Sequence, residues 1–237
     1  MNFRDIGIII TKKPLKENMV IMSIFTEQNG LYSAVIREPK KNGSIYQEGN
    51  LVDFFWRARL HEHIGSAKCE LIKSYNSSLI LDKTKLYAFN SIISLMKLAF
   101  HEREPHNNFF ATFNEYLKSL VRNFIFEDYI RLELEILAEA GYRLELGHCA
   151  VTGVTKDLCY VSPKSGNAIS FTAGLPFASK LLSLPKFLID PTIEITKLET
   201  KQAFDLTSYF FNRYLFENHN EPYARRVFSE HVSKNVK

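Results

Sequence analysis

Near residue 80 the apolar residues of this chain change their spacing, and that switch limits the folds open to it. Before it, short runs rich in Ile, Val, Phe and Tyr alternate with turn signals. Segments 5–11, 19–26, 31–37, 50–60 and 67–75 read as five strands. Their breaks fall at Lys13-Pro14, Gln28-Asn29-Gly30, Asn42-Gly43 and His63-Ile64-Gly65. Five short strands in so little chain predict a small β-barrel, with the OB type foremost. After residue 80 the period becomes helical. Residues 82–101 repeat apolar positions at Leu86, Phe89, Ile92, Ile93, Met96 and Phe100. Asn107 or Asn108 can cap a second helix over 109–123, which buries Phe110, Phe113, Leu117 and Leu120. A third, over 126–140, places Ile130, Leu134 and Leu137 on one face and stops at Gly141. Residues 146–174 break the pattern with five glycine or proline positions and two β-like runs at 158–162 and 168–172, so a hairpin insert is expected there. Helical spacing returns over 197–217, and Pro222 opens a last short helix carrying Arg225 and Arg226. The expectation is an α+β chain: an OB-type barrel over 1–80, then a helical bundle over 81–237 with a hairpin insert at about 146–174.

Several function classes lack their signatures. No GxG occurs, which removes the dinucleotide fingerprint, and neither a GxxxxGK[ST] loop nor a GxSxG elbow is present. His61-Glu62-His63 and His101-Glu102 share letters with zinc proteases, but neither offers the His pair four residues apart that a helical site needs. Glu133, Glu135 and Glu139 read as a solvated helix face. No enzyme is expected. The three cysteines, Cys69, Cys149 and Cys159, fit a reducing compartment better than a disulfide scaffold. There is no secretory leader, and no apolar run approaches the ~18 residues of a membrane span, so the expected place is the cytoplasm, away from membranes.

Charge points to a partner only when divided. The net charge is +4; residues 1–80 carry +3, 81–145 carry −2 and 146–237 carry +3. In LVDFFWRARL (51–60) the even positions, Val52, Phe54, Trp56, Ala58 and Leu60, are all apolar. Strand alternation sends them inward and leaves Phe55, Arg57 and Arg59 outside. An exposed ring beside two guanidiniums suits single-stranded nucleic acid, because bases stack on rings and phosphates pair with arginine. Lys12 and Lys13 in one turn, and Arg37, Lys40 and Lys41 in another, can extend that stripe. The plainer alternative is an ordinary solvated surface. His148, Cys149 and Cys159 are the metal candidates of the insert; neither cysteine has a second one two to four residues on and His148 is adjacent to Cys149, poor spacing for shared ligation, so a zinc site is not expected and no cofactor is implied.

Several segments stand in a telling order: DIGIII (5–10), PLKENMVIMSIFTEQNGLYSAVIR (14–37), EGNLVDFFWRARLHEHIG (48–65) with CEL (69–71), LELEILAEAGYRLEL (132–146), CAVTG (149–153), YVSPKSGNAIS (160–170) and the late Arg225-Arg226. Their order resembles the bacterial recombination and repair proteins of the RecO family. The resemblance implies an OB barrel that binds single- and double-stranded DNA and anneals complementary strands. It implies work with RecR to load RecA onto DNA coated by the single-stranded DNA-binding protein, close to the nucleoid and without bond-making chemistry. It also implies an apolar groove in the helical region for the acidic C-terminal tail of that coating protein, with Phe204, Phe210 and Phe211 as candidates. Many relatives carry a four-cysteine zinc module; only Cys149 and Cys159 stand in this insert. An RNA-binding OB protein and a protein-binding scaffold are the alternatives.

Overall fold

The structure is a computed structural model that describes residues 1–38, 45–60, 63–216 and 220–235. Five strands, β1 (Asn2–Lys16), β2 (Met19–Thr26), β3 (Gly30–Arg37), β4 (Leu51–Arg57) and β5 (Gly65–Lys73), close into a barrel in the order β1-β2-β3-β5-β4. That is the expected OB-type barrel, and the helices that follow make the chain α+β. Alternation builds its interior: Val20, Met22 and Ile24 of β2 and Val52, Phe54 and Trp56 of β4 all point inward and are buried. Every pairing is antiparallel except β3 with β5, which is parallel and limited to Ala34↔Gly65 and Val35↔Ser66. Gly65 is required there, since a Cβ would lie 2.2 Å from Trp56 Nε1.

Two strand boundaries differ from expectation. β1 runs through Lys13-Pro14 to Lys16, and the turn falls at 17–18, with Asn18 left-handed at φ 57°. Beyond Ile8, β1 is paired with β2 but no longer with β4, so a residue without an N–H is tolerated in it. β4 ends at Arg57, whose partner Ser66 lies at the start of β5. Arg59 therefore sits in the following loop, and Leu60 is 47% exposed instead of joining the core.

The helices are α1 (Asn76–Leu79), α2 (Lys83–Ala99), α3 (Asn107–Arg122), α4 (Phe126–Glu139), α5 (Phe171–Gly174), α6 (Lys197–Tyr214) and α7 (Tyr223–Asn235). The chain packs as two compact units, Met1–Phe89 with Phe100–Phe124, and Asn90–Ala99 with Ile125–Lys237. In the first, Phe25 of β2 faces Phe100 and the α3 rings of Phe109 and Phe110, with centroids 5.6, 5.9 and 5.8 Å away. This cluster draws residues beyond 80 into the barrel's unit. Neither Asn107 nor Asn108 caps α3: it starts at Asn107, two residues before the expected 109, behind His106 and with no side-chain cap.

In the second unit, β6 (Leu158–Val161) and β7 (Ala168–Ser170) form the expected hairpin, and β8 (Leu182–Ser183) adds a third strand in the order β7-β6-β8. α4 ends as expected at Gly141, left-handed at φ 90°, with Tyr142 N–H donating back to Leu137 O at 2.8 Å. Glu133 corrects the solvated-face reading. It is fully buried and paired with Arg225 of α7, also fully buried. Arg225 uses all five N–H donors. Nε donates to Glu133 Oε1 at 2.7 Å, and Nη2 to Glu133 Oε2 at 3.0 Å and Thr207 Oγ1 at 2.9 Å. Nη1 donates to Ser208 Oγ at 2.8 Å and to Glu221 Oε1. Tyr129 Oη adds a 2.6 Å hydrogen bond to Glu133 Oε1. Burial alone would lower the Arg225 pKa, but Glu133, Tyr129 and Glu221 raise it instead, so the guanidinium stays charged. Phe204, Phe210 and Phe211 are another correction: all three are buried core residues of α6, Phe204 packed on Phe126 and Phe228 and Phe211 on Arg225, and they do not line an open groove.

Candidate nucleic-acid interface

The outer face of the barrel follows from register. Asp53, Phe55 and Arg57 of β4 alternate with the buried set and point outward. β5 places Glu70 opposite Asp53, Lys68 opposite Phe55 and Ser66 opposite Arg57. One cross-strand row then reads Lys13, Ile21, Val35, Ser66 and Arg57 from β1 through β2, β3 and β5 to β4. Lys13 is exposed at the far end of that row, two strands from Val35.

The short β3–β5 pairing opens this face. Both strands continue past Val35↔Ser66 without pairing again, so the segments carrying Arg37 and Lys68 separate. A recess of about 370 Å³ lies there, lined among others by Met19, Val35, Phe55, Arg37, Arg57 and Lys68. Phe55 is 39% exposed, a ring with one side in solvent. Arg57 holds Ser66 Oγ through a 3.3 Å hydrogen bond from Nε. Among the described residues, Arg37, Arg57 and Lys68 form no ion pair, so their charge is available to a ligand. A second depression of about 600 Å³ adjoins the first through Val35, Arg57 and Ser66, and adds Arg59 and His63.

Of the residues chosen from sequence, Arg37, Phe55, Arg57 and Arg59 thus come together. Lys12 does not join them, because its Nζ is tied to Glu38 Oε1 at 2.7 Å. Lys40 and Lys41 lie outside the described residues. Lys68 was missed. Its signal was the alternation of Ser66, Lys68 and Glu70, but only the register shows that Lys68 stands beside Phe55. The face has an acidic border. Arg4 Nε donates to both Asp53 oxygens, at 2.9 and 3.0 Å, and those hydrogen bonds hold the carboxyl below its ordinary pKa.

Among the described residues the two cysteines of the insert stand in separate settings. Cys149 is buried, with Sγ accepting the Ser170 N–H at 3.2 Å. Burial pushes this thiol up, but hydrogen bonds from Ser170 and Thr152 outweigh that and hold its pKa at about 6. Cys159 donates from Sγ to Asp157 O at 3.4 Å. Among the described residues no three His, Cys, Asp or Glu side chains gather, a donor set that does not fit tetrahedral zinc. No helix among them is long and apolar enough to cross a membrane.

Comparison with known proteins covers both parts of the chain. Residues 1–75 match the family model for the N terminus of recombination protein O, and residues 81–221 match the model for its C terminus. A Rickettsia felis protein named DNA repair protein RecO is 58% identical over 236 residues, which cover 99% of this chain and all of the relative. Proteins of that name from Rickettsia bellii and Rickettsia akari are 58% and 59% identical, each over 98% of this chain and at least 97% of the relative.

Proposed function

The chain belongs to the recombination protein O family, and from that premise we propose that it is a DNA-repair mediator that binds single- and double-stranded DNA on the outer face of its barrel and anneals complementary strands. The observation that carries this reading is the gathering of Arg37, Arg57 and Lys68, without a carboxylate partner among the described residues, around the half-exposed Phe55. Guanidinium and ammonium groups neutralise phosphates and release counterions. Phe55 offers a face for stacking, worth about 1–3 kcal/mol per base. Lowering the repulsion between two phosphate backbones is what lets complementary strands meet, so annealing needs a charged, aromatic surface and no bond-making group. The protein is accordingly read as a mediator and not an enzyme. Lys13 and Arg59 extend the phosphate path on either side.

In this reading the chain acts in the cytoplasm, at the nucleoid, and with RecR it helps load RecA onto DNA coated by the single-stranded DNA-binding protein. The acidic tail of that coating protein is a partner whose seat is elsewhere than Phe204, Phe210 and Phe211. The insert folds through its backbone hydrogen bonds, with Ala150 and Ala168 joined at 2.9 Å, and needs no metal. The deciding experiment is annealing of complementary oligonucleotides coated with the cognate single-stranded DNA-binding protein. Acceleration by the full chain is expected, with loss in the Arg37→Ala/Arg57→Ala/Lys68→Ala variant. Absence of both annealing and DNA binding in the unaltered chain overturns the reading. An equal preference for RNA oligonucleotides in competition would assign the same face to RNA.

A further inference from the structure

We infer that the recess between Arg37 and Lys68 receives one unpaired nucleobase, so that this face distinguishes a single strand from a duplex. The inference rests on the proposed DNA-binding role and adds to it the form of ligand the site selects.

Three features lead there. The first is depth. A stacking residue on a flat sheet would meet any nucleic acid alike, whereas here the ring borders a cavity formed where β3 and β5 stop pairing. The second is the division of chemistry within it. Met19, Val35 and Ala67 give it apolar lining beside the Phe55 ring, Tyr46 and Ser66 add hydroxyls, and the cations Arg37, Arg57 and Lys68 line it too. A nucleotide has the same division: a flat base, apolar on its faces and polar at its edge, between two phosphates. The third is that no carboxylate lines the recess among the described residues; Asp53 and Glu70 lie one row further along the barrel and line a neighbouring depression with Arg4 and Lys68. An anionic strand therefore meets, at the recess, cations unpaired among the described residues, whereas the neighbouring depression has Asp53 already neutralised by Arg4.

A base can enter such a recess only from outside a duplex stack. In a single strand it is already free to turn. In a duplex it must be flipped out, at an expense of a few kcal/mol in unstacking and unpairing. Duplex DNA is then held by phosphate contacts alone, while a single strand makes those contacts and fills the recess. The same distinction gives annealing a direction: once the base pairs with its complement it leaves the recess, and the product is held less tightly than either reactant.

The test compares the Phe55→Ala and Phe55→Tyr variants with the unaltered protein, titrated by fluorescence anisotropy with a labelled single strand and with the corresponding duplex at one fixed low salt concentration. Phe55 is partly in solvent, so the variants should fold, which circular dichroism and thermal melting verify. Phe55→Ala is expected to weaken single-strand binding by about 5- to 150-fold, the range for loss of one stacked base, and to leave duplex affinity within about twofold. Phe55→Tyr is expected to restore single-strand binding. An equal loss on both ligands, or no loss on the single strand, overturns the base recess. The Arg37→Ala/Arg57→Ala/Lys68→Ala variant separates this from failure of the underlying reading: if it binds both ligands as the unaltered protein does, the barrel face is not the DNA interface at all.

Discussion

At the scale of single residues the chain uses arginine in two opposite ways. Arg57 is exposed and unpaired by any described carboxylate, so its worth lies in what it binds. Replacing it with Ala should reduce the slope of log affinity against log salt on single-stranded DNA by about 0.7, the share of one phosphate contact. An unchanged slope would remove Arg57 from the interface. Arg225 is buried with every donor used, so its worth lies in what it holds together. Arg225→Met removes the cationic partner of the buried Glu133, leaving it only the Tyr129 hydrogen bond among the described residues, and should destabilise the protein by about 3–5 kcal/mol. Adding Glu133→Leu should recover most of that loss, because a matched apolar pair leaves no orphan charge. Urea unfolding of the single and double variants measures both effects. Alternation alone distinguished Phe55 from Phe54, and this was legible in the sequence. Glu133 was not: a lone carboxylate among Glu135 and Glu139 looks solvated until the partner 92 residues away is known.

At the scale of elements, β2 and β5 each carry a buried residue with a measurable consequence, one packed outside the barrel and one within it. Phe25 of β2 packs on Phe100 and α3, and Phe25→Ala should cost about 3–5 kcal/mol, the usual loss for a buried aromatic. A change under 1 kcal/mol in the denaturant midpoint analysis would mean that the aromatic cluster repacks without it. Cys69 of β5 is buried inside the barrel, and burial, with Asp53 nearby, pushes its thiol from 9.0 up to about 12. The unfolded chain therefore releases this proton near pH 9 while the folded chain keeps it. The stabilisation is complete below pH 9 and is lost as the pH climbs from there toward 12. The unaltered protein should lose stability between pH 8 and pH 10.5 more steeply than Cys69→Ala, measured by urea midpoints; parallel curves would contradict the raised thiol. Strand identity was readable from composition and period, but the ends were not. β4 stops at Arg57 because its partner β5 begins at Gly65, a fact of pairing that no local window contains.

At the scale of the whole molecule, the order of a barrel followed by helices with a hairpin was legible, because periodicity reports which face of each element is buried. It does not report what that face is buried against. Phe25 with Phe100, and Glu133 with Arg225, are the pairings that escaped it, and they decide how the chain divides into compact units. The buried arginine also imposes an order in time. Glu133 leaves the ribosome 92 residues ahead of Arg225, which at 5–20 residues per second is a wait of about 5–20 s. Through that interval Glu133 lacks the arginine that pairs with it in the second unit, whereas every residue of the first unit has already been made by Phe124. The barrel can finish folding while its neighbour waits, and the last helix to be synthesised is the one that ends the wait.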